Sequence, residues 1–209
     1  MPLDLARLLV PGECALITQE CQRGVIGDRS ALPELAANAQ SGMIDAVAGL
    51  VDAAHAAGVQ VIHCLAERRL DGRGANHNAR LFQYMGRSEF ALLQGTDAAR
   101  LVPEIPLDGR DIVLRRLHGL SPFQGTELDS ILRNLGINTI VAVGVSVNVA
   151  IQNLAFDAVN AAYQVVIARD AVAGFPLDYV EQVFEHTLGG ITTVLAAAQI
   201  REAWQQASS

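Results

Sequence analysis

The chain has 209 residues, of which 51% are hydrophobic, and its formal net charge is −7 at pH 7. This length suits one globular domain over residues 1–209, and the apolar content is enough to fill its core. The acidic balance disfavours a nucleic-acid or anionic-membrane partner, and no apolar run approaches the roughly 20 residues of a membrane-spanning helix.

Short β-branched runs alternate along the chain with segments of helical spacing. The runs predict buried strands of a parallel sheet and cover residues 14–18, 59–65, 111–114, 139–143 and 164–168, with a weaker one at 190–194. Apolar side chains recur every three or four positions in residues 43–54, 126–135, 146–162 and 178–188. Strand–helix–strand repetition requires crossover connections, so we expect helices on both faces of the sheet.

Two polar stretches interrupt this alternation, at residues 66–87 and 116–125. Each follows a predicted strand directly. Open parallel sheets bind their ligands beyond the carboxyl ends of the strands. These strand ends are therefore where we expect the chemistry of the protein.

The first predicted strand runs into Glu20, and the third ends in Arg115 and Arg116. A half-buried carboxyl at the sheet edge can act as a general acid, but it can also be merely solvated or paired with an arginine. Because strand side chains alternate, one arginine should point into the crevice and the other away from it. An inward arginine can hold a carboxylate or orient an acid beside it. His118 follows these arginines. It is a candidate for the site, and the alternative is that it is an ordinary loop histidine.

The fourth predicted strand leads into a helix at Ser146, a residue type that commonly caps helix N-termini. The first helical turn carries positions 147 to 150. Its backbone N–H groups and the helix dipole favour an anion or a thiolate. The residue at the end of this turn is Ala150, whose side chain can supply neither an anion nor a thiolate.

Several motifs occur in a characteristic order over roughly residues 13 to 195. After the acidic residue and the basic residue come the motifs F-Q-G-T-E-L at 123–128, G-V-S-V-N-V-A-I at 144–151, F-D-A at 156–158 and R-D-A-V-A-G at 169–174. This order resembles the isochorismatase-like hydrolases, the cysteine hydrolase superfamily that includes nicotinamidases, N-carbamoylsarcosine amidases and isochorismatases. The resemblance implies a three-layer α/β/α sandwich with a six-stranded parallel sheet.

The working set of that family is an aspartate, a lysine and a cysteine. The resemblance maps these onto Glu20, Arg116 (within one residue) and Ala150, so all three positions depart from the pattern. It also implies a cis peptide bond at Val145–Ser146. The family's glutamine after the acidic residue matches Gln22, whose alternative role is a structural hydrogen bond.

The expected site is therefore Glu20, Arg116 and Ala150, with the pocket lined by Gln22, His118, Phe123, Val145 and Ser146. The alternative interpretation of Phe123 is that its side chain simply packs in the hydrophobic core. The metal-binding pattern of nicotinamidases is absent, because Glu67 and His77 have the wrong spacing, so we expect no metal and no cofactor.

Without a cysteine at position 150, catalysis through a covalent thioester is not expected. Cys21, beside Glu20, is the remaining candidate for a substitute nucleophile, and a minor one. The resemblance to the isochorismatase branch implies instead an acid-catalysed hydrolase of a small anionic metabolite. The alternatives are an inactive family member that binds a metabolite and an oligomeric scaffold.

The three cysteines form no C-x-x-C pair and are odd in number, which indicates reduced thiols in a cytoplasmic protein. By similarity to the family we expect a homo-oligomer, either a dimer or a tetramer. The expected partner is a small-molecule substrate, with no nucleic acid and no membrane.

Overall fold

The computed structural model of the protein describes residues 4–207, in which a six-stranded parallel sheet has the strand order β3-β2-β1-β4-β5-β6. Every neighbouring pair of strands is parallel. The strands are β1 Cys14–Gln19, β2 Gln60–Ala66, β3 Ile112–Arg116, β4 Thr139–Val145, β5 Gln164–Ala173 and β6 Thr193–Leu195. The predicted parallel six-stranded sheet is confirmed.

Helices cover the sheet and connect its strands. The α-helices are α1 Leu5–Leu8, α2 Pro33–Asn38, α3 Ile44–Ala57, α4 Arg80–Arg87, α5 Leu128–Asn134, α6 Gln152–Asn160, α7 Leu177–Val183, α8 Gly189–Ile191 and α9 Ala197–Ala207. π-Helical turns lie at Ala39–Met43, Val147–Ile151 and Phe184–Leu188, and a 3-10 turn lies at Asp97–Ala99. No helix within residues 4–207 is long and apolar enough to cross a membrane.

Alternate residues of each strand face two separate hydrophobic clusters, which is what produces the layers. Cys14 and Leu16 of β1 pack in a cluster that contains the buried faces of α3 and α9. Ala15 and Ile17 pack in the other cluster, with α5, α6 and α7. Because successive strand side chains point to opposite faces, a strand buried on both faces must be apolar throughout. This explains the uninterrupted hydrophobic runs in the sequence.

The structure differs from the sequence prediction at several elements. The sixth strand is Thr193–Leu195 and not 190–194, because α8 occupies Gly189–Ile191. The polar stretch at residues 66–87, for which no helix was predicted, contains α4. The amphipathic α9, whose Trp204 is completely buried, was not predicted from the sequence.

The close approach of β1 and β4 depends on a glycine. Gly144 pairs with Gln19 in the parallel register, and its φ is +103°. A Cβ atom at this position would lie 2.2 Å from the carbonyl oxygen of Gln19. Only glycine fits, and the ends of these two strands are thereby held together beside Glu20.

Candidate active site

A cavity of about 290 Å³ opens where four strands end. Its floor is contributed by Glu20 after β1, Ala66 at the end of β2, Arg116 at the end of β3 and Ser146 after β4. These strands are neighbours in the sheet, so their carboxyl ends lie along one edge. The cavity therefore occupies the place where parallel sheets bind ligands.

Glu20 and Arg116 form an ion pair on the cavity floor. The Nη2 of Arg116 donates to the Oε1 of Glu20, and the side-chain amide of Gln19 donates to the same oxygen at 3.0 Å. Glu20 has a left-handed backbone, with φ of 51°, and its N–H donates to the carbonyl of Cys64 at 2.9 Å. No hydrogen bond from residues 4–207 reaches Oε2, the second carboxylate oxygen, so it is available for water or substrate.

The guanidinium of Arg116 is almost completely buried, and its side chain is 4% exposed. Its Nε and Nη2 also face the carbonyl oxygens of Gly119 and Leu120, each at 3.4 Å. Its Nη1 is buried and has no hydrogen-bond partner among the residues described. Arg115 points the other way, is half exposed and pairs with Glu67 at 2.9 Å. The predicted inward and outward arginines are thus confirmed.

The turn after β4 forms another part of the cavity wall. The Val145–Ser146 peptide bond is cis, at the predicted position. The N–H groups of Val149 and Ile151 donate to the carbonyl of Ser146, at 3.1 and 3.0 Å. The side chains of Ser146 and Ala150 line the cavity, and Ala150 is buried. Ala150, onto which the resemblance maps the family's cysteine, therefore faces the same space as Glu20 and Arg116.

None of the three native thiols reaches this cavity. Cys14, Cys21 and Cys64 are all buried and none of them lines it. Burial raises the pKa of Cys14 and of Cys64 to about 12 and also raises the pKa of Cys21. A buried, protonated thiol is a poor nucleophile. The minor alternative of Cys21 as a substitute nucleophile has no support.

Three residues predicted to line the pocket lie outside it. The amide of Gln22 is used structurally: it donates to the carbonyls of Ala66 and Ala99 at 2.9 and 2.8 Å. Phe123 packs in the core against Tyr163, with ring centroids 6.0 Å apart. Val145 is fully buried in the opposite core cluster. Their predicted place in the pocket lining is corrected, because the structure buries their side chains outside the cavity.

The remaining walls come from residues that the sequence analysis did not assign to the site, except for His118, which lines the cavity as expected. These residues lie at the start of α2 and within it, in α4 and the loop before it, in the turn after β4 and after β5; they include Leu32, Leu35, Arg68, Asn76, Leu81, Phe82, Met85, Asn148 and Phe175. Residues 66–87 directly follow the end of a strand, and this location was the sequence signal that could have placed α4 at the site. No sequence signal pointed to α2.

The loop and α4 are tied over the cavity by specific bonds. Arg68 donates to the carbonyl of Phe82 at 3.2 Å, and the hydroxyl of Tyr84 donates to the carbonyl of Ala31 at 3.0 Å. The carboxamide oxygen of Asn76 accepts from the N–H of Gly119 at 2.8 Å. Within residues 4–207, no group of three or more His, Cys, Asp or Glu side chains could hold a metal ion.

Comparison with known proteins agrees with this geometry. The isochorismatase domain model matches residues 14–199. The chain is 29% identical to the ureidoacrylate amidohydrolase RutB of Agrobacterium fabrum, over 89% of each protein. It is 40% identical to the uncharacterised isochorismatase family protein YwoC of Bacillus subtilis, over 38% of this chain and 41% of that protein.

Among solved structures, a cysteine hydrolase from Pseudomonas syringae pv. phaseolicola superposes with a TM-score of 0.83 at 21% identity. The superposition covers 99% of this chain and 100% of that one. This likeness concerns the fold. The strand order, the cavity at the strand ends and the match over residues 14–199 lead to one conclusion. The chain belongs to the isochorismatase family of hydrolases.

Proposed function

We propose that the protein hydrolyses a small anionic metabolite, with Glu20 as the proton-transfer group and without a cysteine nucleophile. The observation that carries this proposal is the Glu20–Arg116 pair, which faces the same cavity as Ala150. The cavity thus contains a carboxyl group that can exchange a proton, a cation that can hold an anionic group, and a small residue that leaves room for water.

The chemistry that suits these groups is the cleavage of a vinyl ether. Glu20 would protonate the terminal carbon of the double bond, and water would add to the resulting cation at the carbon that carries the ether oxygen. The proton lost by that water returns to Glu20, and the hemiketal then collapses to a ketone and an alcohol. Arg116 orients the carboxyl group throughout and does not exchange a proton itself.

Glutamate places its carboxyl about 1.5 Å farther from the backbone than aspartate does, since it has one more methylene group. A displacement of this size can reduce a rate about a hundredfold. The pairing of Glu20 with Arg116 supports a site adapted to the longer side chain. The longer side chain of Glu20 therefore favours a substrate other than isochorismate.

Amide hydrolysis through a thioester has less support. RutB is named for its action on ureidoacrylate, but this chain has Ala150 where the family has cysteine, and its own thiols are buried. An amide could be cleaved here only by a water molecule that Glu20 activates.

The test is turnover of isochorismate, ureidoacrylate and a panel of small amides, with pyruvate and ammonia release as the readouts. Glu20→Gln is the matched variant, because it keeps the shape of the side chain and removes its proton exchange. Product release that is lost in Glu20→Gln supports the proposal. Product release that persists in Glu20→Gln would contradict it.

A family member that binds a metabolite without converting it is the second candidate. It is favoured by Ala150 and by the occupation of Oε1 of Glu20 by two donors. Ligand-induced stabilisation without product release from any substrate would support this candidate. The scaffold alternative has less support, because the cavity is open and not collapsed.

A homo-oligomer, either a dimer or a tetramer, is also part of the proposal. Exposed apolar side chains support it: Phe175, which lines the cavity, Leu177 and Tyr179 are each 46–60% exposed. Sedimentation equilibrium would test it, and a monomer at micromolar concentration would contradict it. The cytoplasmic location stays a prediction from the cysteine pattern.

A further inference from the structure

Arg68 brings a positive charge to the cavity wall that no carboxylate within residues 4–207 balances. It lies two positions after the end of β2 and lines the cavity. Its guanidinium forms no ion pair in that part of the chain, and its side chain makes a single hydrogen bond there, from Nη1 to the carbonyl of Phe82 at 3.2 Å. Because a guanidinium has five N–H donors, most of them remain for water or a ligand.

Two carboxylates of the cavity lining already have their own cations. Glu20 accepts from the Nη2 of Arg116, and Glu67 pairs with Arg115 at 2.9 Å. The Nη1 of Arg116 is buried and is therefore not open to the cavity. Neither pair leaves an unbalanced positive charge.

The remaining ionisable groups of the lining are Glu34 and His118, and both residues are exposed. Solvent and salt screen an exposed carboxylate, and a histidine is a cation only when it is protonated. Among the residues described, Arg68 is therefore the permanent cation of the cavity that has no carboxylate partner. An anionic ligand would pair with it most strongly.

The position of the Arg68 guanidinium is fixed by the backbone and by α4. The N–H of Arg68 donates to the carbonyl of Leu92 at 2.7 Å, and its carbonyl accepts from the N–H of Gln94 at 2.8 Å. The guanidinium packs against Gly86 in α4, where a Cβ atom would lie 2.9 Å from Cζ and closer still to Nη1. Real Cβ atoms do not make contacts this short. The guanidinium therefore occupies space that a side chain at position 86 would fill.

The segment that covers the cavity is cationic, although the chain as a whole is acidic. Residues 68–87 contain five arginines and one aspartate, whereas the chain has a net charge of −7. Several residues of this segment line the cavity, among them Asn76, Phe82 and Met85. A local excess of positive charge at a cavity attracts anions to it. The charge distribution therefore agrees with an anionic ligand at Arg68.

We propose, on the basis of the function proposed above, that Arg68 binds a carboxylate group of the substrate and that Gly86 leaves the space for its guanidinium. The two oxygens of a carboxylate match the fork of a guanidinium. The apolar side chains of α4 that line the cavity then contact the body of the substrate. Arg68 determines which substrates bind, while Glu20 acts on the bond that is cleaved.

The probe is benzoate, which joins a carboxylate to an apolar ring, and benzamide is its neutral analogue of similar shape. Titration calorimetry on the unmodified protein measures both affinities at about 0.1 M salt. We expect benzoate to bind at least about tenfold more tightly, because charge-assisted hydrogen bonds are the stronger ones. The preference should be the same at about pH 6 and about pH 8, since arginine keeps its charge over this range and histidine does not.

Arg68→Met removes the charge and should reduce the affinity for benzoate about tenfold or more, to that for benzamide. Arg80→Met is the matched control, because Arg80 is an exposed arginine of the same segment that does not line the cavity. It should change the affinity by less than about threefold, since salt screens exposed charges. For any substrate that is turned over, Arg68→Met should raise KM more than it lowers kcat.

Gly86→Ala tests the same site without removing the charge. The added methyl group must displace the guanidinium of Arg68, which is the end of a flexible side chain, so the fold itself should tolerate the change. Alanine is also the better helix former, so the urea midpoint should not fall. Benzoate binding should nevertheless weaken about threefold or more, because the displaced fork loses its geometry. In the Arg68→Met background, Gly86→Ala should have no further effect on benzoate binding.

The outcomes separate this inference from the proposed function. Equal binding of benzoate and benzamide, no benzoate binding at millimolar concentration, or a preference that survives Arg68→Met would each overturn the inference. A preference that fades between pH 6 and pH 8 would assign the anion to a histidine and overturn it as well. Turnover in the substrate panel combined with any of these leaves the hydrolase standing. A benzoate preference that is lost in Arg68→Met, without turnover of any substrate, sustains the carboxylate site and counts against the hydrolase.

Discussion

The carboxylate of Glu20 and the guanidinium of Arg116 meet across the end of β2, although β1 and β3 are not neighbours in the sheet. Arg116 is the last residue of β3, and Glu20 leaves β1 with a left-handed backbone. The two groups are 96 positions apart in the chain. Their pairing therefore depends on the whole edge of the sheet and makes the site sensitive to changes in either partner.

Removal of Arg116 should destabilise the fold. Arg116→Met leaves the Glu20 carboxylate without its cation in a largely buried position. We expect the free energy of unfolding to fall by about 3 kcal/mol, the lower end for a broken buried pair, because Glu20 is 18% exposed. Adding Glu20→Gln to this variant should recover part of the loss. Urea unfolding measures both effects, and additive losses would show that the two residues are not coupled.

A thiol at position 150 should be reactive, in contrast to the native thiols. Ala150 lines the cavity in the first turn of a helix, where backbone N–H groups favour a thiolate. Ala150→Cys should therefore add one thiol that reacts with a disulfide reagent at neutral pH. In the unmodified protein Cys14, Cys21 and Cys64 should react only on unfolding, because all three are buried and burial raises their pKa. Rapid labelling of the unmodified, folded protein would contradict this prediction.

Gly144 should be intolerant of any side chain. Its φ is +103°, and a Cβ atom would overlap the backbone of Gln19 in the neighbouring strand. Gly144→Ala should lower the free energy of unfolding by about 3 kcal/mol or more, since backbone strain and steric overlap add together. Gly109→Ala is the control, because its Cβ would have no neighbour within 4 Å, and it should change stability by less than about 0.5 kcal/mol. Equal effects of the two substitutions would contradict the prediction.

His63 should make the stability of the fold decrease at acidic pH. The imidazole is buried, with Nδ1 2.8 Å from the hydroxyl of Thr18 and Nε2 3.3 Å from Asp111, which also contacts His55 at 2.8 Å. Burial lowers the pKa of His63 below its ordinary value of 6.5, although Asp111 opposes this shift. The unfolded chain therefore binds a proton more readily than the folded one. Stability is fully present above pH 6.5 and is lost progressively as the pH falls from there toward the lower folded-state pKa.

The measurement is the urea midpoint between about pH 8 and pH 5, in the range where histidine titrates. His63→Gln should be less stable at pH 8 and should lose part of the dependence on pH. The exposed His186 supplies the control, and His186→Gln should keep the dependence of the unmodified protein. A midpoint that does not change with pH in the unmodified protein would refute the role assigned to His63.

Much of the architecture was predictable from the sequence. Strands buried on both faces must be apolar throughout, and the helices between them show their spacing directly. Since parallel strands end at one edge, the sequence alone predicts that Glu20, Arg116 and Ala150 lie together. The resemblance to the family maps its cysteine onto Ala150, and the prediction that the protein does not use thioester chemistry rests on that match.

Other features were decided only by the tertiary structure. Gln22 and Phe123 follow strands or loops near the site, but their side chains point into the interior, because long-range packing sets the direction of each side chain. The apolar wall of the cavity comes from α2 and α4, which are distant in sequence from the strand ends and meet them only in the folded chain. The sequence by itself determined the sheet and the residues at its edge, since both follow from local patterns. The shape of the cavity and the pairing of Glu20 with Arg116 arise from contacts between distant segments, which local patterns do not encode.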